Sequence, residues 1–272
     1  MLSADLSPKF CVRLNNEVRM PIMGLGTWGL EGEQCYRVVK CALQMGYRLI
    51  DTASMYGNEA EIGRAFRDSG LSRDDVFITT KVASKDQGYE ETLAACQASL
   101  DRLGLSFVDL YMIHWPVVGK NIDTWKAMEE LFSKGKCRAI GVSNFSIPLI
   151  EEIKRREMVL PAVNQIEFNP FVYEREMFNY CAENGIHIEA YSPLTRGICL
   201  QDKTLLGVAH AYGKSPAQIL LRWALQKGVT VIPKATSVKH LKENLDIFDF
   251  ELYFGDMDKL DALSMAQCLI DR

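Results

Sequence analysis

Residues 46–69 read GYRLIDTASMYGNEAEIGRAFRDS, and this stretch holds the pattern that decides the fold. An apolar run, Arg48–Asp51, stops in an acid. After a short loop, Asn58–Ser69 takes up the i, i+3, i+4 apolar spacing of a helix with one buried face. The same succession recurs on both sides. Further strands are predicted at Ile22–Leu25, Val76–Lys81, Val108–His114, Ala139–Ser143, Ala162–Glu167, His187–Tyr191 and Thr230–Ile232. Amphipathic stretches stand between them, among them Glu33–Met45, Tyr89–Leu103, Thr124–Lys134 and Pro216–Lys227; Leu93, Cys96, Leu100 and Leu103 form one such stripe. The strands are mostly continuous apolar runs, as parallel strands covered on both faces require.

Eight strands, each followed by a helix, is the count that closes a parallel barrel. The 272 residues are close to the ~250 typical of that architecture, and no Pro/Gly/Ser-rich linker divides them. The expectation is an α/β fold, a single (β/α)8 TIM barrel domain over residues 1–272. Ahead of it, Phe10–Leu14 and Val18–Met20 flank Asn15, Asn16 and Glu17 as a small hairpin, placed to plug the amino-terminal mouth. A short extra helix is expected over Gly255–Met265.

A net charge of −4 speaks against nucleic acid or an anionic membrane as partner, since both favour a basic surface. The opening MLSADLSPKF lacks the basic and apolar regions of a signal peptide, and no apolar run approaches ~18 residues. A cytoplasmic location is expected. The eight cysteines, at 11, 35, 41, 96, 137, 181, 199 and 268, form no CxxC pair. Several fall on apolar helix faces as small hydrophobes, which argues against disulfides and a structural zinc. His187 and His210 read as structural and lack ligand spacing, so no metal is expected.

Gly24-Leu25-Gly26-Thr27-Trp28-Gly29 matches G-x-G-x-x-G, and Asp51 follows at the distance of a ribose-binding acid. Two objections weigh against a dinucleotide turn. Glu31 and Glu33 occupy the start of the next helix, where they would repel a pyrophosphate. Trp28 puts an indole where backbone must approach phosphate closely.

Four strand ends are unusually polar for their apolar lead-ins. YRLID ends in Asp51, with Tyr56 five residues on; FITTK ends in Lys81; DLYMIH ends in His114, before Trp115; AIGVSN ends in Ser143 and Asn144. Taken singly, each has an ordinary structural reading: a cap, a packed ring, a solvated amine, a hydrogen-bonded imidazole. On neighbouring strands of one barrel they converge at the carboxyl-terminal mouth, where barrel functional groups gather. An adjacent ammonium stabilises a phenolate and lowers a tyrosine pKa otherwise near ~10. Asp51 would hold Lys81 in place and charged, and His114 would orient a carbonyl and share its developing negative charge. Tyr56 would donate a proton as hydride reaches carbon. The rival is a barrel aldolase with Lys81 as Schiff-base nucleophile, which needs that amine neutral and desolvated.

GYRLIDTASMYGNEAEIG, residues 46–63, resembles the first signature of the aldo-keto reductase family. RAIGVSNF, residues 138–145, is similar to its second, and VIPKATSVKHLKEN, residues 231–244, to its third; FITTKV and MIHWP supply the family's Lys and His. The likeness is to the short-loop, prokaryotic or protist-like aldehyde or diketo-acid reductases. It implies hydride transfer from a nicotinamide cofactor lying extended across the carboxyl-terminal mouth, with Tyr56, Asp51, Lys81 and His114 catalytic. It further implies that Ser143, Asn144 and Gln165 bond the carboxamide and Tyr191 stacks on the nicotinamide. Ser192 and Leu194 would line the pyrophosphate path, with Gly26, Thr27 and Asp51 counted in the same cofactor site. Non-catalytic, channel-associated subunits share the resemblance, but the complete tetrad speaks against that role.

The third motif departs from the family pattern. Lys234 is kept, but Ala235 stands for a hydroxyl residue and His240 for an arginine, both of which serve the 2′-phosphate of NADP. Thr236, Ser237, Glu243 and Asn244 complete the expected adenosine site, and Ser237, Lys239 and Lys242 lie near enough to compensate. The expectation is NADP(H) preferred and NAD(H) usable. Trp28, His114 and Trp115 would wall the substrate, and the loop from Trp115 to about Asp123 is short. An open site suits aromatic aldehydes, methylglyoxal and other dicarbonyls better than steroids. A monomer is the family default.

Overall fold

Cys11–Arg13 (β1) and Arg19–Pro21 (β2) pair antiparallel, with Cys11 opposite Pro21. Eight strands follow: Leu25–Gly26 (β3), Leu49–Asp51 (β4), Phe77–Val82 (β5), Val108–Ile113 (β6), Cys137–Ser143 (β7), Val163–Glu167 (β8), His187–Tyr191 (β9) and Thr230–Val231 (β10). The helices between them are Gly32–Gln44 (α1), Glu59–Arg67 (α2), Tyr89–Leu103 (α3), Asn121–Ser133 (α4), Ile147–Arg155 (α5) and Arg175–Glu183 (α6). Lys203–Tyr212 (α7) and Pro216–Gln226 (α8) both lie between β9 and β10, and Val238–Leu245 (α9) and Phe254–Asp261 (α10) end the series. The computed structural model describes residues 6–265; the first residues of MLSADLSPKF, and Cys268, lie outside them.

From β3 to β10 each strand pairs in parallel with the next. The ring closes through parallel bridges between Met23 and Val231 and between Gly26 and Lys234. At this seam Val231 N–H donates to Ile22 O at 3.0 Å and Gly24 N–H to Val231 O at 2.9 Å. A Cβ on Gly26 would lie 2.5 Å from Ile232 O, so a side chain there would force the seam apart. The glycine-rich stretch thus serves barrel closure, and β3 and β10 are shorter than the sequence predicts because the seam holds few ladder pairs.

Alternation along the strands separates two cores. Ile50, Ile78, Tyr111, Ile140 and Ile188 face the helices in the larger one. Leu49, Phe77, Leu110, Ala139 and Val163 fill the barrel interior and pack on Leu14 and Met20 of the hairpin. Asn15 and Asn16 fix that hairpin by donating to Pro161 O at 3.0 Å and Arg138 O at 2.9 Å. Each large apolar side chain so buried contributes about 1.5–3 kcal/mol. The amino-terminal end is therefore plugged with hydrocarbon, and polar residues are left to the other end.

Cys11, Cys35, Cys41, Cys96, Cys137 and Cys181 are free thiols. Cys199 departs from the expectation: it is disulfide-bonded. Its nearest cysteine in sequence, Cys181, is free, so no local spacing could signal the bond. Among the described residues no helix is long and apolar enough to cross a membrane, and no cluster of His, Cys, Asp and Glu could hold a metal ion.

Candidate active site

A cavity of about 700 Å³ opens at the carboxyl-terminal ends of the strands. Its base is a buried ion pair: Lys81 Nζ lies 2.7 Å from both Asp51 carboxylate oxygens and donates to Thr52 O at 2.9 Å. Lys81 is fully buried and Asp51 nearly so. Burial works against the ammonium, but Asp51 and then Tyr56 outweigh it and raise the Lys81 pKa. The amine stays charged, contrary to what a Schiff-base nucleophile requires.

Tyr56 reaches this pair from a short 3₁₀ turn, Ser54–Tyr56, closed by Gly57 at φ 68°. The turn is clamped on both sides. Asn58 accepts from the Thr52 hydroxyl at 2.7 Å and donates to Thr27 O and Leu30 O, while Ser54 Oγ donates to Lys81 O. Lys81 Nζ stands 5.2 Å from the centre of the Tyr56 ring. His114, one residue beyond β6, meets that ring edge-on at 5.5 Å between centroids.

Two titrations differ from simple expectation. Burial pushes the Tyr56 hydroxyl up; Lys81 opposes it, and Asp51 and Glu189 add to the rise. The lowering expected from Lys81 is present but is outweighed by desolvation of the half-buried ring on the cavity wall. His114 is driven down to about 3 by burial and by the Lys81 charge, so its ring is neutral. Its Nδ1 is buried without a partner. A bare acceptor costs less there than an orphaned N–H, so we assign the ring proton to Nε2.

Past His114, Asn144 follows β7 directly at φ 61°, a left-handed conformation that asparagine tolerates. That turn lets its amide donate to Ser143 Oγ and His114 O, while Tyr191 donates to its oxygen at 2.9 Å. Ser143 Oγ in turn donates to Gln165 O. Gln165 spends both amide hydrogens on acids, Asp51 at 2.9 Å and Glu189 at 2.6 Å.

Most of the residues expected from the sequence meet at this cavity. Gly26, Trp28, Asp51, Tyr56, His114 and Trp115 line one part, with Ser143, Asn144, Gln165, Tyr191, Ser192 and Leu194 beside them. Lys234, Thr236, His240, Glu243 and Asn244 also line it. Thr27, Ala235 and Ser237 do not. Thr27 is buried and donates to Asp51 O, Ala235 faces the core, and Ser237 caps α9 by accepting from His240 N–H. Lys81 lies beneath the wall rather than on it. Glu189 and Arg196 escaped the sequence reading; Arg196 lines the cavity, its guanidinium 5.8 Å from the Trp28 ring centre. The signal for Glu189 was a carboxylate inside an otherwise apolar strand.

The family model described as Aldo/keto reductase family matches residues 22–265. The chain belongs to the aldo/keto reductase family. It is 49% identical over 259 residues to the glyoxal reductase of Bacillus subtilis strain 168, covering 95% of this chain and 94% of that protein. It is 43% identical to the 9,11-endoperoxide prostaglandin H2 reductase of Trypanosoma cruzi, over 93% of this chain and 91% of the other. An aldo-keto reductase from a Medee basin deep-sea metagenome superimposes with a TM-score of 0.91 at 40% identity, covering 94% of this chain and 96% of that one. The protein is thus an oxidoreductase of carbonyl chemistry, in a family that uses NAD(P)H.

Proposed function

We propose that the protein is a cytosolic, monomeric, NADPH-preferring reductase of small aldehydes, ketones and dicarbonyls, with Tyr56 as proton donor. The observation that carries this is the buried Lys81–Asp51 pair under Tyr56 and His114 at the base of one cavity. The residues fit a dinucleotide. The Asn244 amide nitrogen is buried without a partner on the cavity wall, ready for a polar group such as adenine. Lys234 and Arg196 supply exposed cations on the same wall, suited to phosphates. A reduced nicotinamide bound there would supply hydride to a carbonyl carbon.

The chain's own groups do the rest. His114 Nε2–H donates to the substrate oxygen and stabilises the charge that develops on it. The raised Tyr56 pKa keeps its hydroxyl protonated at neutral pH, ready to pass the proton to that oxygen. Lys81 then stabilises the phenolate left behind. Trp28 and Trp115 are exposed apolar walls at the mouth, and only residues 114–120 separate β6 from α4. That open rim suits compact carbonyls, and the likeness to a glyoxal reductase points the same way.

The test is NADPH oxidation by the purified protein with glyoxal, methylglyoxal, an aromatic aldehyde and a bulky steroid ketone. Turnover of the first three, outpacing oxidation of the matching alcohols, is expected. Preference for the steroid, or no turnover with any, overturns the reading.

A further inference from the structure

Gln165 has two amide hydrogens and one carbonyl oxygen to place. Its Nε2 donates to Asp51 Oδ2 at 2.9 Å and to Glu189 Oε2 at 2.6 Å, and all three residues are buried. Turning the amide over would set its oxygen against the Lys81-paired Asp51 carboxylate at hydrogen-bond distance, so that contact fixes which end of the amide points inward and Glu189 takes the second amide hydrogen. The oxygen is the polar atom left over, and Gln165 is on the cavity wall.

From this we infer that Glu189 is a positioning residue: with Asp51 it locks the Gln165 amide so that its carbonyl oxygen faces the cavity as a fixed acceptor for the nicotinamide carboxamide N–H.

Asp51 occupies only one of the two amide hydrogens, and it shares its oxygens with Lys81. Glu189 has no such claim on it: Gln165 is its hydrogen-bond partner on one oxygen, and Oε1 is buried with no partner at all. A carboxyl group kept in such a place at the cost of burial is explained by what it holds. Glu189 need not be ionised for this role, since either carboxyl form keeps an oxygen to accept with. Burial, then Asp51, push its pKa up to about 8. The other ionisable groups of this layer are Lys81 and, nearer the mouth, Tyr56 and His114.

The inference rests on the proposed binding of a nicotinamide cofactor in this cavity. It is tested by binding rather than turnover, with NADPH, NADH and 2′-phospho-ADP-ribose, which lacks the nicotinamide. Glu189→Met keeps length and removes the acceptor. It should weaken NADPH and NADH alike by about three- to tenfold, the worth of one positioned hydrogen bond, and leave the fragment's affinity unchanged. Glu189→Gln keeps an acceptor oxygen and should restore both cofactors to within about twofold of wild type. Undiminished binding of the whole cofactors by Glu189→Met overturns the inference, as does an equal loss for the fragment, which would mark general damage. Failure of the wild type to bind NADPH or NADH would instead overturn the cofactor reading beneath it.

Discussion

Lys81 Nζ is held at 2.7 Å from each carboxylate oxygen of Asp51, with no exposure to solvent. A pair so enclosed can keep one charge beneath Tyr56 while water is excluded. Breaking it should be costly: Lys81→Met strands a buried carboxylate, worth about 3–5 kcal/mol of stability, visible as a lower Tm.

Tyr56→Phe removes only a hydroxyl, so it should fold and bind cofactor like the wild type. Its kcat for carbonyl reduction should fall by about 10²- to 10⁴-fold. Since Lys81 acts through Tyr56, the double variant should lose little more than the worse single one, measured on folded protein. Unchanged kcat in Tyr56→Phe, or multiplicative losses in the double variant, would reject the assignment.

Glu189 gives stability a pH dependence whose sign is fixed. Its folded pKa, about 8, lies above the ordinary value of 4.5. The folded state therefore holds the proton more tightly, and this contribution is full below pH 4.5 and lost as pH rises to 8. His114 acts oppositely on the acid side: lowered from 6.5 to about 3, it favours folding above 6.5 and loses that as pH falls. Between pH 6.5 and 8 the decline belongs to Glu189 rather than His114. Glu189→Gln, which cannot ionise, should flatten it, so its Tm relative to wild type should be higher at pH 8.5 than at pH 6. An equal Tm difference at both would mean Glu189 does not change protonation in that window.

Two glycines make opposite predictions. A Cβ on Gly63 of α2 would come within 2.1 Å of Leu103 O at the end of α3, whereas one on Gly207 of α7 meets nothing within 4 Å. Gly63→Ala should cost about 2 kcal/mol, or roughly 5 °C in Tm. Gly207→Ala should gain up to ~1 kcal/mol from helix propensity. Thermal melts of the two variants side by side check both signs.

What could be read in advance follows from range. The 48–69 unit and its repeats are local patterns, so strands carrying Asp51, Lys81 and His114 at or near their carboxyl ends could be placed from sequence, to within a residue of the observed ends of β4, β5 and β6. The ends of β3 and β10 could not, because their pairing exists only once the barrel closes. The direction of the Tyr56 shift depends on the balance between desolvation of its ring and the opposed charges of Lys81, Asp51 and Glu189, which only the assembled site sets. Thr27, Ala235 and Ser237 share their motifs with residues of the cavity wall, yet side-chain direction turns them to Asp51, the core and the α9 cap. Glu189 was legible in principle. An acid within HIEAY, on a strand covered on both faces, demands a buried partner, and Gln165 is it.

The cofactor preference turns on His240, which is exposed on the cavity wall beside Lys234 and Thr236. A 2′-phosphate near Lys234 would find one firm cation there. Arginine at position 240 would add a planar fork able to grip phosphate oxygens bidentately while its face stacks on adenine. Because the position is open to solvent, the gain should sit near the low end for a charged hydrogen bond, about 1.5 kcal/mol or roughly tenfold. His240→Arg should therefore tighten NADPH binding about tenfold and leave NADH, which lacks the phosphate, nearly unchanged. Ala235 is a poorer target, since at 1% exposure a hydroxyl there would start inside the core; Ala235→Ser should alter NADPH affinity less than His240→Arg does. Dissociation constants for both cofactors, at low and high salt, decide the matter. The NADPH gain should shrink with salt if it is electrostatic. An arginine that improved NADH equally would place position 240 at the adenine alone, and tighter NADH than NADPH binding in the wild type would reverse the proposed preference.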